Sequence, residues 1–146
     1  VTGVQTCALP IFHGHSYTGN PLGCAVALAN LDIFRTEKTL AGLRPKITLL
    51  KRLLKPFADL PLVGDIRQRG MMVSIELVRD KTTREAIPLQ ARIGHRVTME
   101  ARRLGLLLRP LGNIIVLMPP LSATPGELQR MIAILQQAVA RVHADL

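Results

Sequence analysis

The sequence predicts an α+β domain, with helices packed on a small, mainly antiparallel sheet. Three observations predict it. Apolar residues recur at spacings of three and four in several segments, the period of a helix with one buried face. Between them lie short apolar runs, grouped in pairs around Gly70 and around Gly112-Asn113. The resulting order is helix, helix, strand, strand, helix, strand, strand, helix.

Asn20 opens the first helix, residues 21–36. Its side-chain oxygen can accept a free backbone N–H, and Pro21 suits the first helical position, where no N–H is needed. Residues 22–34 carry one charge, Asp32, so this helix is expected to be buried on most sides. Leu40, Leu43, Ile47, Leu50, Leu54 and Phe57 make the stripe of a second helix over about 38–58. Pro45 marks a first turn or a kink in it, and Pro61 ends the region.

Residues 63–69 and 71–78 read as two strands, with Gly70 between or within them as a bulge or a close backbone approach. Met72, Ser74, Glu76 and Val78 alternate with Val73, Ile75 and Leu77, the pattern of a half-buried strand. Residues 79–88 form a polar loop. Leu89, Ile93, Val97, Ala101 and Leu104 give another helical stripe, closed by Gly105. Residues 106–109 and 114–118 are short strands around the Gly112-Asn113 turn. Thr124 caps the last helix, with Pro125 first and Glu127 third, close to a capping box. Its buried face is Leu128, Met131, Ile132, Leu135, Val139 and Val142.

The 146 residues suit one domain, and 48% hydrophobic content is enough for a core. Charges interrupt every apolar stretch before membrane-spanning length. The two cysteines, Cys7 and Cys24, offer neither a disulfide framework nor zinc spacing, which points to a reducing cytoplasm. Cys24 reads as a small buried hydrophobe. A net charge of +9 invites a nucleic-acid role, but stacking readers need aromatics, and there is no Trp and one Tyr. The basic residues also spread over separate helices, as Arg44, Lys46, Lys51, Arg52 and Lys55 and as Arg92, Arg96, Arg102 and Arg103. Solvated helix faces explain them, and neither nucleic acid nor membrane is an expected partner. His13 and His15 lie close together but lack a third ligand, so no metal is expected.

Residues 12–25 form a polar, glycine-rich loop running into the first helix. Ser16 and Thr18 hydroxyls and free amides ahead of a helix N-terminus can hold an anion such as a phosphate. The string His13-Gly14-His15-Ser16-Tyr17-Thr18-Gly19-Asn20-Pro21-Leu22-Gly23-Cys24-Ala25 closely resembles the segment after the catalytic lysine in class III (fold type I) pyridoxal-phosphate aminotransferases. A second block, Arg109-Pro110-Leu111-Gly112-Asn113 through Leu117-Met118-Pro119-Pro120, resembles the biotin-pathway branch of that family. The likeness covers nearly the whole chain from Phe12 onward.

The resemblance implies the C-terminal part of such an enzyme. Residues 12–36 would end the large pyridoxal-phosphate-binding domain, and residues 37–146 would be the C-terminal small domain with its connecting helix. Residues 1–11 are expected to lie outside the family, because they look like the translation of a sequencing adaptor joined to a truncated gene. The implied activity is transfer of an amino group from a donor to the ketone of 8-amino-7-oxononanoate, giving 7,8-diaminononanoate. Another class III ω-aminotransferase is the alternative within the family, and a stand-alone basic binding module the alternative outside it.

The implied cofactor is pyridoxal 5′-phosphate, bound through a lysine. Lys38, Lys46, Lys51, Lys55 and Lys81 all lie in contexts unlike the family's Schiff-base segment, which would precede Phe12. The chain alone is therefore expected to be inactive. By resemblance, the Ser16 hydroxyl reaches the cofactor phosphate of a neighbouring subunit, flanked by Gly14 and His15, in a homodimer with shared active sites. Arg109 would bind the substrate carboxylate, a task suited to its planar fork. Tyr17 would line the substrate tunnel or simply pack. Val116 departs from the tyrosine that some biotin-pathway members carry there, which leaves substrate and amino donor open.

Overall fold

A computed structural model describes residues 19–146 of the chain, which divides into two compact units, residues 1–39 and Leu40–Leu146. Gly14, His15, Ser16 and Tyr17 lie outside the described residues.

Helix α1, Pro21–Thr36, is the regular element described in the first unit. The Asn20 side chain accepts from the Leu22 amide at 3.0 Å, and Pro21 stands in the first turn, as its sequence demands. The burial expected for this helix within a large domain is not present in this unit. No α1 residue is buried, Leu22 and Leu28 are exposed, and so is Cys24. The described part of this unit holds no second element to cover the helix.

The second unit is the predicted α+β layer. Helix α2, Thr39–Leu54, continues as a 3-10 turn over Lys55–Asp59. The hairpin of β1, Val63–Arg69, and β2, Met72–Asp80, turns at Gly70. A two-residue strand β3, Glu85–Ala86, lies within the predicted loop and pairs with β2. Helix α3 spans Ile93–Arg103, strands β4 and β5 span Arg109–Leu111 and Ile114–Leu117, and helix α4 spans Pro125–Ala144. The strands lie in the order β1-β2-β5-β4, every pairing antiparallel.

Most predicted stripes become the core. Leu50, Phe57, Val73, Ile75, Leu77, Val97, Ile115, Leu135 and Val139 are buried in one cluster between helices and sheet. Ile47, Leu104 and Met131 are partly buried against the core, and two stripe members are exposed. Leu40 stands a turn before the first buried residue of α2, and Leu89 falls in a 3-10 turn ahead of α3. A left-handed Arg92, φ 47°, separates that turn from α3 and breaks the expected helical period. The first strand of the second pair also shifts, from 106–109 to Arg109–Leu111.

The predicted caps hold. Gly105 takes φ +93° just past α3, a conformation that costs a side-chain-bearing residue free energy. Thr124 and Glu127 complete a reciprocal capping box on α4, with 3.2 Å and 2.7 Å bonds. Helices α3 and α4 are clamped together by Glu100, which accepts from Arg141 at 2.7 Å and Arg103 at 3.0 Å. These hydrogen bonds, that from Arg141 foremost, hold the Glu100 carboxyl below its ordinary range.

Two predictions follow from the packing. Leu50 is 0% exposed and Leu40 66% exposed on the same helix. Leu50→Ala should destabilise the unit by about 2–5 kcal/mol and Leu40→Ala by less than about 0.5 kcal/mol, read by denaturant unfolding. Equal losses would disprove the assigned core face. For Glu100, a lowered folded pKa gives stability that is present above the ordinary carboxylate value of about 4.3 and lost as pH falls through the lower folded value. Glu100→Gln should therefore lower the melting temperature at pH 7 and flatten the acid limb of the stability profile. An unchanged acid limb would show that the clamp contributes no linkage.

Candidate functional site

The only sequence-predicted site residue within the described part is Arg109, and strand register decides where it points. Arg109 opens β4 directly opposite Val116 of β5, Val116 stands opposite Ser74 of β2, and Ser74 opposite Arg67 of β1. Residues directly opposite in an antiparallel ladder share a face. The next row along is Pro110, Ile115, Ile75 and Ile66, and both Ile75 and Ile115 are fully buried against the helices. Arg109 therefore belongs to the face turned away from the core, and it is exposed.

The two arginines of that row differ in their surroundings. Arg67 is paired with Asp65 at 3.2 Å and Glu76 at 3.4 Å. Among the described residues, no acidic group lies within ion-pair distance of Arg109. Arg109 borders a cleft of about 510 Å³ whose other walls include Leu106, Leu108, Val116, Met118 and Met131. It is the one charged residue among the described residues lining that cleft. A guanidinium against an apolar groove suits a ligand with a carboxylate head and an aliphatic body, because the fork pairs with both carboxylate oxygens.

The turn of this hairpin is tightly held. Gly112 takes φ +60°. Asn113 uses its backbone oxygen to accept from the Leu77 amide at 2.9 Å, and its Nδ2 donates to the Ile87 carbonyl at 2.6 Å. These residues were not anticipated as functional, since the sequence marks the pair only as a turn. An isolated glycine inside the α3 pattern, Gly94, was the available signal for a close contact with it.

The described lysines lie apart from the Arg109 cleft, and Lys51 and Lys55 border a separate cleft with Arg69. Lys46 donates to the Leu121 carbonyl at 2.8 Å, Lys81 donates to the carbonyls of Ala58 and Leu60, and Lys38, Lys51 and Lys55 are exposed. None lines the Arg109 cleft. The described residues therefore do not fit pyridoxal phosphate by themselves.

Comparison with known proteins places the chain. A family model described as aminotransferase class-III matches residues 3–139. The adenosylmethionine-8-amino-7-oxononanoate aminotransferase of Nitratidesulfovibrio vulgaris is 56% identical over 131 residues, covering 90% of this chain and 24% of the relative. The crystal structure of the enzyme of that name from Methanocaldococcus jannaschii shares 44% identity with a TM-score of 0.84, over 90% of this chain and 30% of the other. A pyridoxamine-phosphate (PMP)-bound aminotransferase from Vibrio fluvialis superposes with a TM-score of 0.85 at 31% identity, over 93% of this chain and 30% of that one. The chain belongs to the class III aminotransferases. It spans 24 to 29% of the length of the first two curated relatives it matches. Membership displaces the stand-alone basic module. Among the described residues, no helix is long and apolar enough to cross a membrane.

Proposed function

We propose that the chain is the C-terminal part of a pyridoxal-phosphate-dependent aminotransferase that aminates 8-amino-7-oxononanoate to 7,8-diaminononanoate in biotin synthesis. The observation that carries this is Arg109, a lone cation on an apolar cleft, in a chain 56% identical to an enzyme named for that substrate. The substrate is itself a carboxylate on a methylene chain ending in the reacting ketone. In this reading the Arg109 guanidinium holds the carboxylate, while Leu106, Leu108 and Met118 exclude water from the chain and orient it.

The cofactor supplies the amino-group carrier chemistry, and the lysine that binds it lies in sequence ahead of Phe12. Gly14, His15 and Ser16 contribute to the phosphate site across a homodimer, with Ser16 donating its hydroxyl. Tyr17 lines the substrate tunnel. The amino donor is a second small molecule. The intact enzyme works in the cytoplasm, consistent with the absence of a disulfide framework from the sequence.

The test uses the full-length enzyme that carries this segment. Ser16→Ala should weaken cofactor retention by roughly tenfold to a hundredfold, the worth of a hydrogen bond to a charged group of about 1.5–3 kcal/mol. Arg109→Ala should spare the cofactor and raise KM for the carboxylate substrate. Arg109→Lys should recover part of that loss, because an ammonium lacks the fork. Unchanged cofactor affinity in the first variant would remove Ser16 from the phosphate site. An unchanged KM in the second would remove Arg109 from the carboxylate site.

A further inference from the structure

We infer that Asn113, with Gly94 packed beneath the same turn, is a positioning residue for Arg109. The inference rests on Arg109 being the carboxylate-binding group. Strand β4 is a three-residue edge strand, paired on one side only, with β5. Its middle residue is Pro110, which has no N–H to add to the ladder. So short a ladder fixes the first residue of the strand weakly, and the placement of Arg109 must be set largely at the turn.

Two contacts set it. Asn113 ties the turn to two other segments at once, through Leu77 on the central strand and through Ile87 just after β3. The Ile87 carbonyl also fixes the amide orientation, since only Nδ2 can face it as a donor. Gly94, buried in the first turn of α3, lies against Gly112 and Pro110. A methyl group there would overlap the Gly112 carbonyl oxygen and stand 3.0 Å from the Pro110 side chain. Pro110 is the residue next to Arg109, so any displacement at this contact reaches the guanidinium through one peptide unit.

The Asn113 side chain is bonded through one of its two polar ends, Nδ2. Its Oδ1 is buried and has no hydrogen-bond partner among the described residues. An apolar residue of similar size would spare that oxygen but take the Asn113 donor away from the Ile87 carbonyl. What the asparagine supplies is direction, a hydrogen bond that admits one placement of the turn.

The experiment measures equilibrium binding to the full-length holoenzyme of two probes, nonanoate and 1-nonanol, which share an alkyl chain and differ in charge. Asn113→Ala, Asn113→Asp and Gly94→Ala are compared with Arg109→Ala, singly and as the Asn113→Ala/Arg109→Ala double variant. Asn113→Asp keeps the shape but cannot donate to Ile87 when ionised. We expect Asn113→Ala and Asn113→Asp to weaken nonanoate about tenfold, the scale of one charge-assisted contact, and leave 1-nonanol within twofold. Gly94→Ala should act in the same direction. In the Arg109→Ala background, Asn113→Ala should cause no further loss, because it acts through the missing group.

Equal weakening of both probes, or an additive loss in the double variant, would overturn the positioning role and leave a structural one. Undiminished nonanoate binding in the Asn113 variants, with Arg109→Ala impaired, would overturn this inference alone. If Arg109→Ala itself binds nonanoate normally, the carboxylate-site assignment fails and this inference with it. Should Gly94→Ala not fold, the Asn113 pair decides the matter.

Discussion

Strand β2 is the element on which the rest of the second unit is registered. It pairs with β1 along one edge and with β5 and β3 as well. Val73, Ile75 and Leu77 drive its inner face into the core, each essentially fully buried. A shift of one residue would turn Ser74 and Glu76 inward and expose those three side chains. That penalty fixes the register of β2, and β2 in turn fixes β5 through the Ile75–Ile115 pairing. Arg109 inherits its direction two strands away, through Val116.

The site is thus a consequence of sheet register joined to one turn. The core row, Ile66, Ile75 and Ile115, is what burial selects. The neighbouring row has no core to satisfy and is left for polar groups. Placing an arginine on an edge strand of that row needs no buried charge, so it avoids the desolvation penalty of an interior cation. An edge strand is also the least restrained part of a sheet. The tether from Asn113 and the close packing of Gly94 answer that weakness at the far end of the same hairpin.

Much of this was legible from the residues. The caps at Asn20 and Thr124 rest on local chemistry that a sequence states outright, and both appear in the structure. The buried stripes of α2 and α4 and the alternation in β2 from Met72 to Leu77 follow from period alone, whereas Val78, expected on the outer face, is buried where the pairing with β3 shifts register. Leu40, Leu89 and Cys24 read as buried yet are exposed, because an apolar residue records no covering layer of its own. The short β3 escaped notice because two residues carry no period. Arg109 is singled out in the sequence by its motif, while Asn113 reads there as part of a turn. Its bond to Ile87, 26 residues earlier in the chain, is a tertiary contact without a local signature.

The contrast between Arg67 and Arg109 shows what distinguishes a structural cation from one available to a ligand. Both stand in one row on the same face of the sheet. Arg67 has Asp65 two residues back on its own strand and Glu76 on the neighbouring strand, and each forms an ion pair with it. Exposed pairs of this kind add little stability, but they do occupy the guanidinium. Strand β4 carries no acid, and neither does β5 opposite it, which reads Ile114, Ile115, Val116 and Leu117. An arginine in such a hairpin can find its counter-charge only from outside the hairpin. Aliphatic neighbours also lower the local polarity, so an incoming carboxylate meets less competition from water than it would at Arg67. Val116, the apolar residue of β5 directly opposite the cation, is therefore as much a part of the proposed carboxylate site as the arginine.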